Sequence, residues 1–250
     1  MSNVKDIKAR IREKVWRTLE EKNIALFPRP VYHRIPNFVG ADVAARRLSH
    51  LDVFMKARVV KVNPDSPQKH VRYLALLQNK IVIMPTPRIR NGFILLDPLK
   101  IPRDKIAEAS TISGAYRYGS PVDLLSLPKI DLVVIGSVAV NASGARLGKG
   151  EGYAEIEYAI LRSLCKIDEN TYVVTTVHDE QVVDDYIPIE EHDVGVDIIV
   201  TPTKTISIIP RPRKPKGIIW DILPDKKFIE IPILKELRTI LKNEKAITCN

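Results

Sequence analysis

The sequence lacks the features that mark several whole classes of protein. No apolar run approaches the roughly 20 residues of a membrane-spanning helix. Residues 1–22 are charged throughout and hold no apolar secretory stretch, so we expect a cytoplasmic protein that makes no membrane contact. The two cysteines are too few for a disulfide framework or, by themselves, for a zinc site.

Aromatic residues are also scarce, whereas basic residues are abundant. The formal net charge of +9 favours an anionic partner such as a nucleotide, a nucleic acid or another polyanion. Aromatics make up 6% of the chain and are not interleaved with the basic clusters, as they are in stacking platforms for nucleic acid. Nucleic acid is therefore a partner that the composition allows but does not favour. The basic clusters, each also explained as a solvated face, are Lys5, Lys8, Arg10, Arg12, Lys14 and Arg17 in the first helix and Arg211, Arg213, Lys214 and Lys216 after Pro210.

Two common phosphate-binding motifs are missing, but a different glycine-rich loop is present. The chain has neither the P-loop nor the dinucleotide fingerprint. In residues 146–153, glycine recurs at every second position among basic residues: Arg146, Leu147, Gly148, Lys149, Gly150, Glu151, Gly152 and Tyr153. Glycines let backbone N–H groups approach a phosphate, and a following helix N-terminus adds partial positive charge. The loop predicts a nucleotide-phosphate site, although a plain connector between a strand and a helix has the same pattern.

Short apolar runs alternate with helical periodicity along the chain. This alternation predicts an α/β layered fold with a largely parallel sheet flanked by helices. We expect one domain over residues 1–209, followed by a proline- and lysine-rich C-terminal extension over 210–250 that ends in a helix. Residues 101–127 are expected to be rich in loops. The predicted strands are 53–62, 80–85, 93–96, 130–135, 172–177 and, as a pair or as one bent strand, 197–200 with 205–209. The predicted helices are 1–20, 37–48, 71–77, 153–164 and 231–241.

Two carboxylates are candidates for holding a metal ion beside this loop. Glu155 lies in the first turn of the helix that follows the loop, and Asp193 lies just before the strand predicted at 197–200. Mg²⁺ is commonly held by one or two carboxylates together with phosphate oxygens, so both residues suit a metal–nucleotide complex. Structural explanations remain open, since Glu155 also complements a helix dipole and Asp193 also suits a turn.

Several motifs in order resemble those of one enzyme family, the 5-formyltetrahydrofolate cyclo-ligases, also called methenyltetrahydrofolate synthetases. The resemblance extends over roughly residues 5 to 208. The matching segments are Lys8-x-x-Ile11-Arg12, Asp131-Leu132-Val133-Val134, Ser137-Val138-Ala139, the run from Arg146 to Glu155, and Glu180-Gln181, Ile187-Pro188, His192-Asp193 and Val196-Asp197.

This resemblance implies a Mg²⁺- and ATP-dependent ligase. Family chemistry implies that ATP phosphorylates the formyl oxygen of 5-formyltetrahydrofolate, after which the ring closes to 5,10-methenyltetrahydrofolate and phosphate is lost. By motif position, Lys8 and Arg12 would bind ATP phosphates, and Arg146 to Tyr153 would wrap the triphosphate, with Arg146 and Lys149 as the catalytic residues. Glu155 and Asp193 would hold Mg²⁺.

The sequence departs from the family pattern on the substrate side. The family's Tyr-x-Pro-x-x-Gly-Glu segment, whose glutamate contacts the pterin, is here residues 62–68 and holds no glutamate; Asp65 is its expected substitute. Ala154 replaces a second tyrosine, and Glu155 stands where the family has aspartate. Two alternatives therefore stay open: an ATP-dependent enzyme with another small substrate, and a non-catalytic basic protein that binds nucleic acid.

Overall fold

Apolar runs and periodic helical segments fold into nine α-helices and twelve strands within residues 3–243, the part of the chain that the computed structural model describes. The last seven residues of the predicted extension, 244–250, lie outside the described residues. The helices are α1 (Val4–Glu21), α2 (Ala41–Ser49), α3 (Asp52–Met55), α4 (Lys69–Leu77), α5 (Ile106–Ala109), α6 (Ile112–Tyr118), α7 (Tyr153–Ser163), α8 (Asp225–Glu230) and α9 (Ile233–Asn243). The strands are β1 (Ala25–Leu26), β2 (Asn37–Phe38), β3 (Val59–Val62), β4 (Ile81–Pro85), β5 (Phe93–Leu96), β6 (Ser120–Val122), β7 (Leu132–Val134), β8 (Ala139–Val140), β9 (Arg146–Leu147), β10 (Tyr172–Thr176), β11 (Ile198–Val200) and β12 (Thr205–Ser207).

Eight strands form one sheet in the order β12-β11-β10-β7-β3-β4-β5-β6. The five strands from β11 to β4 run parallel, and the outer strands β12, β5 and β6 are antiparallel to their neighbours. In this register Val60 lies between Leu132 and Val82. The prediction of an α/β fold with a largely parallel sheet is confirmed.

Helices cover both faces of this sheet, as the continuous apolar runs of the strands require. On one face Val133 packs in a core with Ile160 of α7. On the other face Leu132 packs in a core with Leu76 of α4. None of the helices in residues 3–243 is long and apolar enough to cross a membrane.

A third core fixes α1 beside the site. The apolar side chains of Ile11, Val15 and Leu19 are buried together with Ala139 and Leu147 of the small hairpin β8–β9. The predicted first helix is therefore confirmed, and its stripe docks on the hairpin that leads into the glycine loop. This docking places Arg12 of the same helix against the loop, where its Nε donates to the carbonyl oxygen of Gly148.

The prediction of a strand over 53–62 is wrong in its first half. Residues 52–55 form α3, and the strand covers only Val59–Val62. Within the predicted strand Met55 is exposed, whereas Phe54 and Ala57 are buried. A spacing of three between buried residues fits a helical turn and not a strand.

The expectation of loops over 101–127 is also wrong. This region holds α5, α6 and the edge strand β6. Both helices are too short to show clear periodicity, and α6 contains Gly114. That glycine is required by close packing, because a Cβ on it would lie 1.8 Å from the carbonyl oxygen of Glu108.

The C-terminal segment packs onto the main core. Ile231, Leu234 and Leu237 are fully buried in the same core as α7. Arg211 and Lys214, two members of the second basic cluster, make ion pairs with the buried carboxylate of Asp197 at 2.9 and 2.6 Å. For these two residues, the explanation as a solvated face is wrong.

Candidate active site

One cleft of about 770 Å³ lies where the sheet topology reverses direction. The chain proceeds from β3 to β4 on one side and then returns to place β7 on the other side of β3. Ligands bind at such reversals in open α/β sheets, at the carboxyl ends of the strands. Asp65 follows β3, Arg88 follows β4 and Gly136 follows β7, and all three line the cleft.

Every residue that the sequence predicted for the site lines this same cleft. They are Lys8, Arg12, Asp65, Arg146, Leu147, Gly148, Lys149, Gly150, Glu151, Gly152, Tyr153, Glu155 and Asp193. The elements that supply them are far apart in the chain, so the fold brings them together.

The glycine loop follows the antiparallel hairpin β8–β9, not a strand of the main sheet, and it ends at the start of α7. Gly150 and Gly152 have φ angles of 97° and 75°, which L side chains rarely adopt. A Cβ on Gly148 would lie 3.2 Å from the guanidinium of Arg146, and one on Gly150 would lie 3.4 Å from that of Arg12. The glycines therefore let the loop backbone run against two guanidinium groups.

Arg146 ties the loop to its surroundings from a buried position, with 4% of the residue exposed. Its Nη1 donates to the carbonyl oxygen of Gly136 at 2.6 Å, and its Nε donates to that of Val194 at 3.1 Å. Its Nη2 makes an ion pair with Glu155 on the first turn of α7. Arg146 thus connects the hairpin, the end of β7 and α7, and Glu155 neutralises its charge.

Two basic residues reach the cleft from α1, where their spacing of four puts them on one face. The Nζ of Lys8 lies 2.7 Å from a carboxylate oxygen of Glu190 and 2.5 Å from one of Asp193. The Nε of Arg12 donates to the carbonyl oxygen of Gly148 at 2.7 Å. Burial lowers the pKa of Arg12, with Glu155 opposing this effect; a guanidinium nevertheless stays protonated at neutral pH.

The two predicted metal ligands lie at the cleft with different partners. Glu155 pairs with Arg146, and Asp193 pairs with Lys8. Within residues 3–243, Asp193 also forms a group with Glu190 and His192, whose potential ligand atoms lie within 4.8 Å of one another. Sequence reasoning did not assign Glu190 or His192 to the site, although His192 directly precedes Asp193 in the family motif and Glu190 stands three residues before it.

A buried polar network forms the floor of the cleft, and sequence reasoning missed it. Lys61 of β3 is fully buried, and its Nζ lies 2.6 Å from Glu157 of α7 and 2.9 Å from Oδ1 of Asn63. Burial raises the pKa of Glu157, and the Lys61 ammonium opposes this rise. The available signal was a lysine in an otherwise apolar strand, because a buried lysine needs a partner.

Residues 62–68, which depart from the family pattern, bring Asp65 to the cleft but not Gln68. Gln68, which stands in the glutamate's place, is fully buried and donates to the Thr176 hydroxyl at 3.2 Å. Asp65 is partly exposed to the cleft, opposite Gly136. Burial raises the pKa of Asp65, and Lys149 and Arg72 lead the cations that oppose this. Asp65 is thus the carboxylate that this segment brings to the cleft.

Comparisons with known proteins agree with this arrangement. The sequence model of the 5-formyltetrahydrofolate cyclo-ligase family matches residues 4–202. The chain is 46% identical over 236 residues to a methenyltetrahydrofolate synthase domain-containing protein of Mus musculus, covering 92% of this chain and 63% of that protein. The Homo sapiens protein of the same name is 46% identical over 233 residues, which covers 91% of this chain and 60% of that protein. The chain therefore spans about three-fifths of the length of these relatives.

A solved structure supports the fold. The NMR structure of Aquifex aeolicus 5,10-methenyltetrahydrofolate synthetase aligns with a TM-score of 0.52 at 20% identity, over 83% of this chain and 95% of that chain. The family predicted from the motifs is confirmed, because the family model covers most of the sequence. The chain belongs to the 5-formyltetrahydrofolate cyclo-ligase family.

Proposed function

We propose that this chain is a Mg²⁺- and ATP-dependent ligase that converts 5-formyltetrahydrofolate, or a related formyl-pterin, to its 5,10-methenyl form. The formyl oxygen takes the phosphoryl group, N10 closes the ring, and the oxygen leaves with phosphate. The observation that carries the proposal is that one cleft at the reversal of the sheet gathers all the residues to which the family motifs assign a contact with ATP or Mg²⁺.

The basic wall of the cleft suits a triphosphate. Phosphoryl transfer depends mainly on positioning and on neutralising charge. Arg12 lies against the loop backbone, and Lys149 is 36% exposed and paired only with its loop neighbour Glu151, at 2.9 Å, in the described structure. Lys149 can therefore turn to a phosphate oxygen, while Arg146 is held in place by the carbonyl groups it binds.

The carboxylates of the cleft suit Mg²⁺. Glu155 and Asp193 would hold the ion together with phosphate oxygens, and Glu190 adds a third carboxylate beside Asp193. The bound ion would neutralise charge on the phosphates. In the protein alone, the Lys8 ammonium supplies positive charge to these carboxylates, because it bridges Asp193 and Glu190.

Asp65 is the proposed contact for the pterin. A carboxylate accepts hydrogen bonds from the amino group and ring N–H of such a heterocycle. Asp65 follows β3 and lines the same cleft as the glycine loop, and the charge of Lys149 in that loop acts on its carboxylate.

A second candidate is an ATP-dependent ligase with a different small substrate. The burial of Gln68 favours it, because the residue in the place of the pterin-binding glutamate does not line the cleft in the described structure. The Asp65 side chain is shorter than that of glutamate and projects from a backbone position three residues earlier. The ring that it contacts can therefore differ from a pterin.

The direct test is to mix the protein with 5-formyltetrahydrofolate and Mg-ATP and to follow the near-ultraviolet absorbance of the methenyl product. We expect product formation that EDTA abolishes and that Lys149→Ala slows strongly, with the exposed Lys216→Ala as control. No product at high protein concentration, together with clear Mg-ATP binding, would favour the second candidate. Salt-sensitive binding of RNA or DNA without ATP binding would overturn both.

A further inference from the structure

The C-terminal helices reach the glycine loop through one side chain. We use the name C-terminal brace for α8 and α9 together, residues 225–243. Glu230 of the brace accepts a hydrogen bond from the hydroxyl of Tyr153 at 3.0 Å. Lys227 places its Nζ 3.5 Å from the centroid of the Tyr153 ring. Tyr153 follows the last loop glycine, begins α7 and lines the cleft.

These two contacts restrain different parts of the ring. The hydrogen bond to Glu230 is directional and fixes the hydroxyl, whereas the ammonium of Lys227 lies over the aromatic face. The hydrogen bond from Tyr153 is the main cause that lowers the pKa of Glu230, which means that the bond favours the charged carboxylate. A charged acceptor makes a stronger hydrogen bond than a neutral one.

The brace is itself firmly attached to the core. Ile231, Leu234 and Leu237 are fully buried. Ile233 approaches to 2.9 Å from the position that a Cβ would take on Gly92, which closes the segment that carries Arg88 into the cleft. The brace therefore contacts Tyr153, which lines the cleft, and Gly92, which ends the short segment that holds Arg88.

The glycine loop needs such support at its C-terminal end. Gly150 and Gly152 have no side chains to anchor them, and a Cβ on Gly152 would meet nothing within 4 Å. At the other end of the loop, Arg12 holds the carbonyl group of Gly148. The direction of the backbone between these points therefore depends on how firmly Tyr153 is held.

We infer that Glu230 and Lys227 are positioning residues for the nucleotide loop, so that the C-terminal brace is a working part of the ATP site. This inference rests on the proposed function, because it assigns the loop to the phosphates of ATP. Glu230 and Lys227 act through Tyr153 and do not line the cleft in the described structure.

The test compares Glu230→Gln and Tyr153→Phe in the full chain by calorimetric titration with Mg-ATP. We expect each variant to weaken binding by about three- to tenfold, because Tyr153→Phe removes the hydrogen bond and Glu230→Gln replaces its charged acceptor by a neutral amide oxygen. The double variant is expected to bind no more weakly than Tyr153→Phe alone, because without the Tyr153 hydroxyl the change at Glu230 has no bond left to weaken. Glu236→Gln, which makes the same change at an exposed position of α9, is the matched control.

Hydrogen exchange of the loop amides, measured without ATP, separates failure of this inference from failure of the proposed function. We expect amides 148–153 to exchange faster in Glu230→Gln and at the wild-type rate in Glu236→Gln. If wild-type protein does not bind Mg-ATP but this difference is seen, the nucleotide assignment fails and the positioning role stands. Equal exchange in both variants, or additive losses of affinity, would overturn the inference.

Discussion

Arg12 and Gly148 join the first helix to the glycine loop through a single hydrogen bond of 2.7 Å, from the guanidinium Nε to the carbonyl oxygen. Because this bond uses one edge of the guanidinium, the other N–H groups remain available for a bound anion. The bond also offsets the partial negative charge of the Gly148 carbonyl oxygen, which would otherwise oppose a bound phosphate.

Arg12→Lys should weaken Mg-ATP binding about tenfold or more, since an ammonium lacks the planar fork that meets a carbonyl and a phosphate together. Titration calorimetry measures the change. Arg10→Lys is the control, because Arg10 is exposed on the same helix. If the two variants bind Mg-ATP with equal affinity, Arg12 does not contact the phosphates.

Gly150→Ala should cost about 1–3 kcal/mol in the free energy of unfolding, because alanine is strained at a φ of 97°. It should also weaken Mg-ATP binding, since the new methyl group would stand 3.4 Å from the guanidinium carbon of Arg12. Gly148→Ala is the comparison: it crowds Arg146 at 3.2 Å but has no positive φ. Urea unfolding should therefore separate the two variants, with Gly150→Ala the less stable.

The sequence predicted the layered fold and the residues that meet at the cleft. It also predicted strands at 80–85, 93–96 and 172–177, which the structure has at 81–85, 93–96 and 172–176. These succeeded because buried strands and amphipathic helices have clear periodicity and because several family motifs occur in order. The prediction of a strand over 53–62 was wrong in its first half, where Phe54 and Ala57 are buried at the spacing of a helical turn. The two helices within 101–127 were not predicted, because segments of four and seven residues are too short to show hydrophobic periodicity.

Contacts between residues far apart in the chain could not be predicted from the sequence. Nothing in the pattern links Tyr153 to Glu230, or Arg211 to Asp197, because each pair forms only after the C-terminal segment docks on the core. The roles of Glu155 and Asp193 as metal ligands stay predictions. Both lie at the cleft, where Arg146 and Lys8 are their partners in the protein alone.

Lys61→Met should lower the free energy of unfolding by about 3–5 kcal/mol, because it leaves Glu157 buried without its counter-charge. The double change Lys61→Met with Glu157→Met should recover part of this loss, since neither charge then remains buried. Lys56→Met, which breaks an exposed pair with Asp52, should cost less than about 1 kcal/mol. Urea denaturation of the three variants gives the comparison.

Asp65→Asn should raise the free energy of unfolding at neutral pH while removing the contact proposed for the pterin. The folded protein raises the pKa of Asp65, so its ionised form opposes folding. This penalty is fully present above the folded-state pKa and disappears as the pH falls below the unfolded value, about 3.9. The stabilisation by Asn should therefore shrink in acid, whereas a difference that grew as the pH fell would contradict the raised pKa.

Asp197→Asn should lower the free energy of unfolding by about 3–5 kcal/mol and release the segment after Pro210. The Asp197 carboxylate is fully buried, accepts from the backbone N–H of Val173 at 2.7 Å and pairs with Arg211 and Lys214. Asparagine keeps an acceptor but leaves two cations without their counter-charge. Urea unfolding together with trypsin cleavage at the exposed Arg213 measures both effects, with the exposed Asp221→Asn as control.

Because the C-terminal brace follows this segment, Asp197→Asn should also speed exchange of the loop amides at 148–153. Loss of stability without that faster exchange would show that the buried side chains of α9 keep the C-terminal brace on the core independently of Asp197.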